Sequence, residues 1–446
     1  MRRTTLRTLA ALTACATAAL FVSACTGQNS SGGDDGSAAG KDVTITFWHG
    51  WSQDSEVKAI DDNIAAFEQL HPNIHVKPVA NIADDKLEQA LRGGGRDAPD
   101  VVSSFTTNNV GKFCAANVWA DLAPFLNKDG IDPAKTFPPA MLEYSQFEGK
   151  QCALPLLGDA YGLYYNKTAF AAAGITSPPK TFSEFEAAAG KLTIAEGDSY
   201  KQLGFMPNYH GYETTPVYYL GQYGAKYFTA DGKSNVATDP KVAAMYAWQK
   251  NLIAELGGFD KLEKYRTTFG DEFSAKNPFQ TGQVAMSFDG EWRTASLAED
   301  PVSFDWATAP FPVPDDQADT YGRGYQTGTI IGVARSSQKQ TAAWELVKYL
   351  TTNTDAVVSF ANAIHNVPST NEALNSPKLT VDPNFKTFID IAKNPNSSTA
   401  PSSINGGAYQ LSLRNFGYDF EAGKADLTAG LAATAKEIDE AIDQAK

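Results

Sequence analysis

Val43–Trp48 is a run of β-branched and aromatic residues and predicts a strand. After it, Val57, Ile60, Ile64, Phe67 and Leu70 recur at spacings of three and four, one apolar helix face that must end before His71-Pro72. Ile74–Val79 predicts a second strand, residues 87–91 a short helix, and residues 100–104 a third strand. The alternation β-α-β-α-β implies a parallel sheet covered by helices on both faces. Such sheets bind ligands at the carboxyl ends of their strands, here the loops after Trp48 and after Ser104. Farther on, residues 160–166 predict a strand, followed by a helix that stops at Gly174. Thr181 and Glu184 have the spacing of a capping box and open a helix through Leu192. Asp239-Pro240 opens another, with Pro where its missing N–H costs nothing. Residues 283–288 and 327–333 predict strands, and from Gln338 the chain is mostly helical, closing on an amphipathic helix over residues 431–442. There is no internal repeat.

The amino terminus follows none of these patterns. Arg2, Arg3 and Arg7 precede an uncharged apolar stretch over residues 9–22, shorter than the roughly 20 residues a bilayer span needs but suited to an export signal. Residues 1–24 therefore read as a leader. Cys25 follows Val22-Ser23-Ala24, a small-residue run ending in Cys that resembles the lipobox of bacterial lipoproteins, in which that Cys is lipid-modified; an ordinary cleavage site with a chance Cys is the alternative. Residues 25–41 then form a Gly, Ser, Asn, Asp and Ala tether. The chain holds 37 basic and 51 acidic residues; three of the basic ones lie in the leader, so the rest carries a net charge of −17. That balance excludes nucleic acid as a partner and an electrostatic grip on anionic lipid. A hydrophobic content of 43% excludes a disordered chain. In an oxidising compartment Cys114 and Cys152 are an even pair and read as a disulfide, with two buried thiols as the alternative.

Several stretches together resemble the family-1 solute-binding proteins of bacterial ABC importers, the maltodextrin and oligosaccharide receptors. They are Thr44-Ile-Thr-Phe-Trp48, Phe67-Glu-Gln-Leu-His-Pro-Asn-Ile-His-Val76, Ala98-Pro-Asp-Val-Val102 and the long Leu154 to Lys167 segment leading into residues 178–185. Residues 279–286, Asp289-Gly-Glu-Trp292 and residues 342–350 complete the series, which covers nearly the whole chain beyond the leader. The resemblance implies an α/β fold of two lobes, each a mainly parallel sheet flanked by helices, with three hinge crossings near residues 154–159, 287–291 and 333–337. Lobe 1 would comprise residues 42–156 and 289–334, and lobe 2 residues 157–288 and 335–446. It also implies a sugar ligand in the interlobe cleft, a membrane permease as partner, attachment to the outer face of the cell membrane through Cys25, and action as a monomer.

A sugar has apolar C–H faces and a rim of hydroxyls, so its receptor needs aromatic plates and paired hydrogen-bond acceptors. The chain has 7 Trp and 18 Tyr, many of them in loops. Trp292 stands where the maltodextrin receptors place a stacking Trp after Asn-Gly-Pro; here that run is Asp289-Gly290-Glu291, so two carboxylates flank the ring and the Pro is absent. Asp159 matches the receptors' hinge-strand carboxylate, and Tyr409 falls near their carboxyl-terminal aromatic platform. Strand-end geometry adds Trp51, Ser104, Thr107, Tyr209, His210 and Tyr325, while Trp119, Trp248, Trp306 and Trp344 are assigned to packing. His71 and His75 are spaced like metal ligands on a helix, but Pro72 separates them, and no metal or cofactor is expected.

Two rivals share these features. A secreted glycoside hydrolase needs two carboxylates across a scissile bond, which Asp159, Asp289 and Glu291 could supply. The same fold could instead take a cationic solute such as a polyamine.

Overall fold

The computed structural model describes residues 41–95, 98–207 and 215–446. Val43–Trp48 buries Ile45 and Phe47 completely and pairs in parallel with Ile74–Val79 on one side and Val101–Ser104 on the other, as the alternation predicts. The helix Asp54–Leu70 buries Ile60, Ile64 and Phe67, three of the residues that announced it, and stops at His71, whose N–H donates to the Phe67 carbonyl. At the second predicted helix start, Glu184 N–H donates to Thr181 Oγ1 at 3.4 Å, while the Glu184 carboxylate accepts from Lys180 N–H rather than from Thr181. The reciprocal half of the box is thus displaced by one residue.

The centre of the sheet is antiparallel. Strand Gln326–Val333 inserts between Val101–Ser104 and the long strand Leu154–Asn166, antiparallel to both. That long strand starts six residues before the predicted 160–166. Pro155 masks its beginning, and the structure accommodates Pro155 opposite Ile330 at a register shift, where the ladder is already interrupted. Beyond Ala160 the same strand changes partners, pairing with Val284–Gly290 and Trp306–Ala309. Val284–Gly290 in turn pairs in parallel with Ser199–Phe205. Gly328 is required at the crossover: a Cβ there would come within 2.3 Å of the Leu157 carbonyl and 2.6 Å of the Tyr144 hydroxyl.

One hydrophobic core lies on a single face of the first half-sheet. It joins Ile45, Phe47, Ile60 and Phe67 to Leu346, Val347, Leu350 and Phe360. A larger one runs from the opposite face, with Val110, Phe113 and Met141, into the second half around Leu203, Tyr219, Tyr246, Phe288 and Phe311. This packing corrects the expected partition. Gln340–Thr352 and Thr354–Ile364 pack on the first half, not the second, because their apolar faces complete the Ile45–Phe67 core. Residues 289–313 stay with the second half, since Trp306–Ala309 pairs with residues 163–166 and Phe311 joins Phe288. The long strand joins the two halves near residues 158–161, where its partner changes from Gln326–Val333 to Val284–Gly290. The other two crossings fall near residues 325–330 and 364–368, not at 287–291 and 333–337, because those segments keep both neighbours on one side. Cys114 and Cys152 are bonded, with Cα atoms 5.8 Å apart. The bond ties helix Asn109–Ala115 to the approach to the first crossing.

Candidate functional site

Where the crossing strands lie side by side, residues of both halves enclose a cavity of about 770 Å³, within the ordinary size of a ligand site. The loop after Val43–Trp48 supplies Trp51 and Gln53, and the loop after Val101–Ser104 supplies Phe105, Thr106, Thr107 and Asn108. These are the strand ends that topology singled out. The Trp51 ring meets Phe105 and Phe360 edge-on, each with centroids 5.1 Å apart. Its neighbour His49 is wholly buried without a hydrogen bond to either ring nitrogen, and burial pushes it down to about 4, so it is neutral at ordinary pH.

A second aromatic wall comes from the other half. Tyr161 and Tyr218 have ring centroids 4.5 Å apart, as do Tyr218 and Tyr325, and Trp292 stands edge-on to Tyr161 at 5.4 Å. All four line the cavity. Trp292 opens helix Trp292–Glu299, and its ring folds over Gly290, where a Cβ would come within 2.2 Å of the indole. Glu291 has φ −62°, the angle a proline would fix, so the turn forms without one. Phe105 and Phe273 are also in the lining and remain 49% and 61% exposed. Apolar surface exposed in a concave wall is the kind a ligand covers.

Polar groups gather at the cavity floor. Asp159, paired across the sheet with Thr327, accepts from Asn366 Nδ2 at 3.1 Å. Glu291 Oε1 accepts from the same nitrogen at 2.9 Å, and Glu291 Oε2 accepts from Ala160 N–H at 2.9 Å. That one Asn366 amide nitrogen therefore bridges the two carboxyls. Burial pushes Asp159 up to about 6 against the lowering effect of those hydrogen bonds; burial and the Asp159 charge push Glu291 well above the usual carboxylate range. Thr107 Oγ1 and Thr327 Oγ1 bridge the halves at 3.1 Å.

Of the residues expected from sequence, Trp51, Thr107, Asp159, Trp292 and Tyr325 line this cavity. Glu291 lies behind the floor with no exposed surface. Three others belong elsewhere. Ser104 is spent on its own loop, where its Oγ accepts from Thr106 N–H and from Asn109 Nδ2. Asp289 is buried in an ion pair with Arg293 at 2.6 Å. Tyr409 is core, its hydroxyl donating to the Pro401 carbonyl and its ring packed on Tyr227 and Phe228. Tyr209 and His210, like Cys25, lie outside the described residues. The sequence reading missed Phe105, Tyr161, Tyr218, Thr327 and Asn366. Tyr161 could have been found from the two-residue alternation of its strand; Asn366 carries no local signal. Among the described residues no cluster of His, Cys, Asp or Glu could hold a metal ion, and no helix is long and apolar enough to cross a membrane.

Residues 50–357 match the family described as bacterial extracellular solute-binding protein. The chain belongs to that family. Among relatives of this solute-binding protein, the maltotriose-binding protein of Pyrococcus abyssi is 22% identical over 343 residues, covering 76% of this chain and 69% of that one. The multiple sugar-binding protein of Streptococcus mutans is 23% identical over 318 residues, 70% of this chain and 71% of that one. Among solved structures, the sugar-binding protein MalE from Xanthomonas citri superposes with a TM-score of 0.74 at 20% identity, over 90% of this chain and 98% of that one. The two-lobe α/β architecture is thus common to this solute-binding protein and that receptor.

Proposed function

We propose that the protein captures a di- or oligosaccharide between its lobes, delivers it to the permease of an ABC importer, and catalyses no reaction. The observation that carries this reading is the pair of facing aromatic walls, Trp51 with Phe105 and Tyr161, Tyr218, Trp292 and Tyr325, above a floor of hydrogen-bonding groups. Aromatic faces match the C–H faces of a sugar ring, and Asp159 with Asn366 and the threonines matches its hydroxyl rim. The sugar-binding names of the relatives add support. Hydrolysis is disfavoured by the same geometry: Asp289 is buried in its ion pair with Arg293 and Glu291 has no exposed surface, so neither stands ready to flank a scissile bond opposite Asp159.

A thermal-shift screen against mono- and oligosaccharides tests the reading; a ligand at 100 times its Kd adds about 2.7 kcal/mol of stability. Spermidine in the same screen tests the cationic alternative, and stabilisation by spermidine but by no saccharide would displace the sugar reading. Trp292→Ala is expected to weaken saccharide binding by one to two powers of ten, about 1.5–3 kcal/mol, measured by calorimetric titration. Undiminished binding by that variant would remove Trp292 from the site.

The reading includes a lipid anchor at Cys25 after removal of residues 1–24, with residues 25–41 as tether. Mass spectrometry of the mature amino terminus should find acylated Cys25, and an unmodified terminus at another residue would refute the anchor.

A further inference from the structure

We infer that Glu291 and Asn366 are positioning residues that hold Asp159 in the cavity floor: the Asn366 amide clamps one Asp159 oxygen beside the buried Glu291 carboxyl and leaves the other Asp159 oxygen to meet the ligand. The inference rests on the saccharide reading for what Asp159 meets, but not for the clamp itself. The geometry comes from three separate segments. Asp159 sits on the first crossing strand, Asn366 on the last crossing, and Glu291 between Val284–Gly290 and helix Trp292–Glu299. One nitrogen, Asn366 Nδ2, reaches both carboxyls, at 3.1 and 2.9 Å. Glu291 is wholly buried, and among the described residues no cation pairs with it or with Asp159.

Two carboxyls bridged by one nitrogen, one of them wholly buried, do not both ionise without a counter-charge, so the buried Glu291 keeps its proton. The surroundings do not supply that charge. Arg293 is committed to Asp289, and the other titratable groups around the pair and in the cavity lining are Tyr144, Tyr161, Tyr164, Tyr218, Tyr325, His365 and the carboxyls of Glu56 and Glu299. Burial pushes Tyr144 and Tyr164 well above their ordinary range, so they stay neutral. Glu291 Oε2 accepts from Ala160 N–H and Oε1 from Asn366 Nδ2, so both oxygens are held in place. Asn366 Oδ1 is buried without a partner, so the site has an acceptor in reserve for one further donor.

That reserve makes Glu291→Gln the informative variant. Its amide can donate to a rotated Asn366, replacing the carboxyl proton by a permanent hydrogen, whereas Glu291→Ala leaves Asp159 without its neighbour. Carboxyl-carbon NMR of the unliganded full chain at about pH 7.5 should find Glu291 protonated and Asp159 ionised. Asn366→Ala, which removes a donor to Asp159, should move the Asp159 midpoint upward from about 6. With maltotriose as probe, Glu291→Ala should weaken binding by about tenfold or more, and Glu291→Gln should restore most of that loss. An ionised Glu291, an Asp159 midpoint unmoved in Asn366→Ala, or equal losses in the Gln and Ala variants would each overturn the clamp. Failure of the wild type to bind maltotriose would count against that saccharide, while the NMR result would still decide the clamp.

Discussion

Asp289→Ala is expected to lower the stability of the unliganded protein by about 3–5 kcal/mol, the usual effect of stranding one member of a buried ion pair. Arg293 Nε donates to Asp289 Oδ2 at 2.6 Å, and the two side chains are 1% and 2% exposed. The other Asp289 oxygen accepts from Gly290 N–H at 2.8 Å and so holds the turn beneath Trp292. Gln280 accepts from Arg293 Nη1 at 3.3 Å, but a neutral amide cannot offset a guanidinium in the core. Urea unfolding of the variant measures the loss, and Asp289→Ala/Arg293→Met should recover part of it. Were Asp289 a ligand contact open to solvent in the empty cavity, the unliganded stability would change by less than about 1 kcal/mol. That result would return Asp289 to the binding site.

Replacing Cys114 and Cys152 together by Ser should cost about 4 kcal/mol on the chain-entropy account, given their separation of 38 residues. The bond fastens a helix that carries Phe113, against which Trp119 packs edge-on at 5.0 Å. Trp119 in turn covers Gly332, where a Cβ would come within 2.9 Å of the indole. All of this lies within the first half, so saccharide affinity at a temperature where the variant is folded should stay near that of the parent. Equal melting temperatures for variant and parent, with the thiols verified absent, would show that the bond contributes no net stability.

Local order was legible in the sequence wherever one physical signal dominated. The Val43–Trp48 strand, the 54–70 helix and the cap at Asp239 each follow from side-chain period or terminal hydrogen bonding, which depend on neighbours in the chain. Partition between lobes was not legible, because it depends on which distant apolar faces fit together. Nothing in residues 340–364 says that Trp344 and Phe360 will pack with Ile45 rather than with Phe288. The site divides the same way. Trp51 and Thr107 were reachable from strand ends, and Asp159 and Trp292 from family motifs. Asp289 lies outside the cavity lining because a carboxylate four residues before an arginine on a forming helix turn can pair inward, and sequence does not give the direction. Asn366 was invisible because its importance arises from Asp159 and Glu291, 207 and 75 residues away.

The interleaving of the two lobes has a consequence for how the polypeptide comes into being. Ile45, Phe47 and Phe67 are buried against Ile331, Val333, Leu346 and Phe360. At a synthesis rate of about 5–20 residues per second, on the order of ten seconds or more separate emergence of residue 104 from that of residue 333. During that interval Val101–Ser104 lacks its antiparallel neighbour, and helix Asp54–Leu70 lacks the two helices that cover it. The amino-terminal third therefore cannot lock by itself while the rest is being made. It stays an unfinished, threadable chain until nearly the whole polypeptide exists.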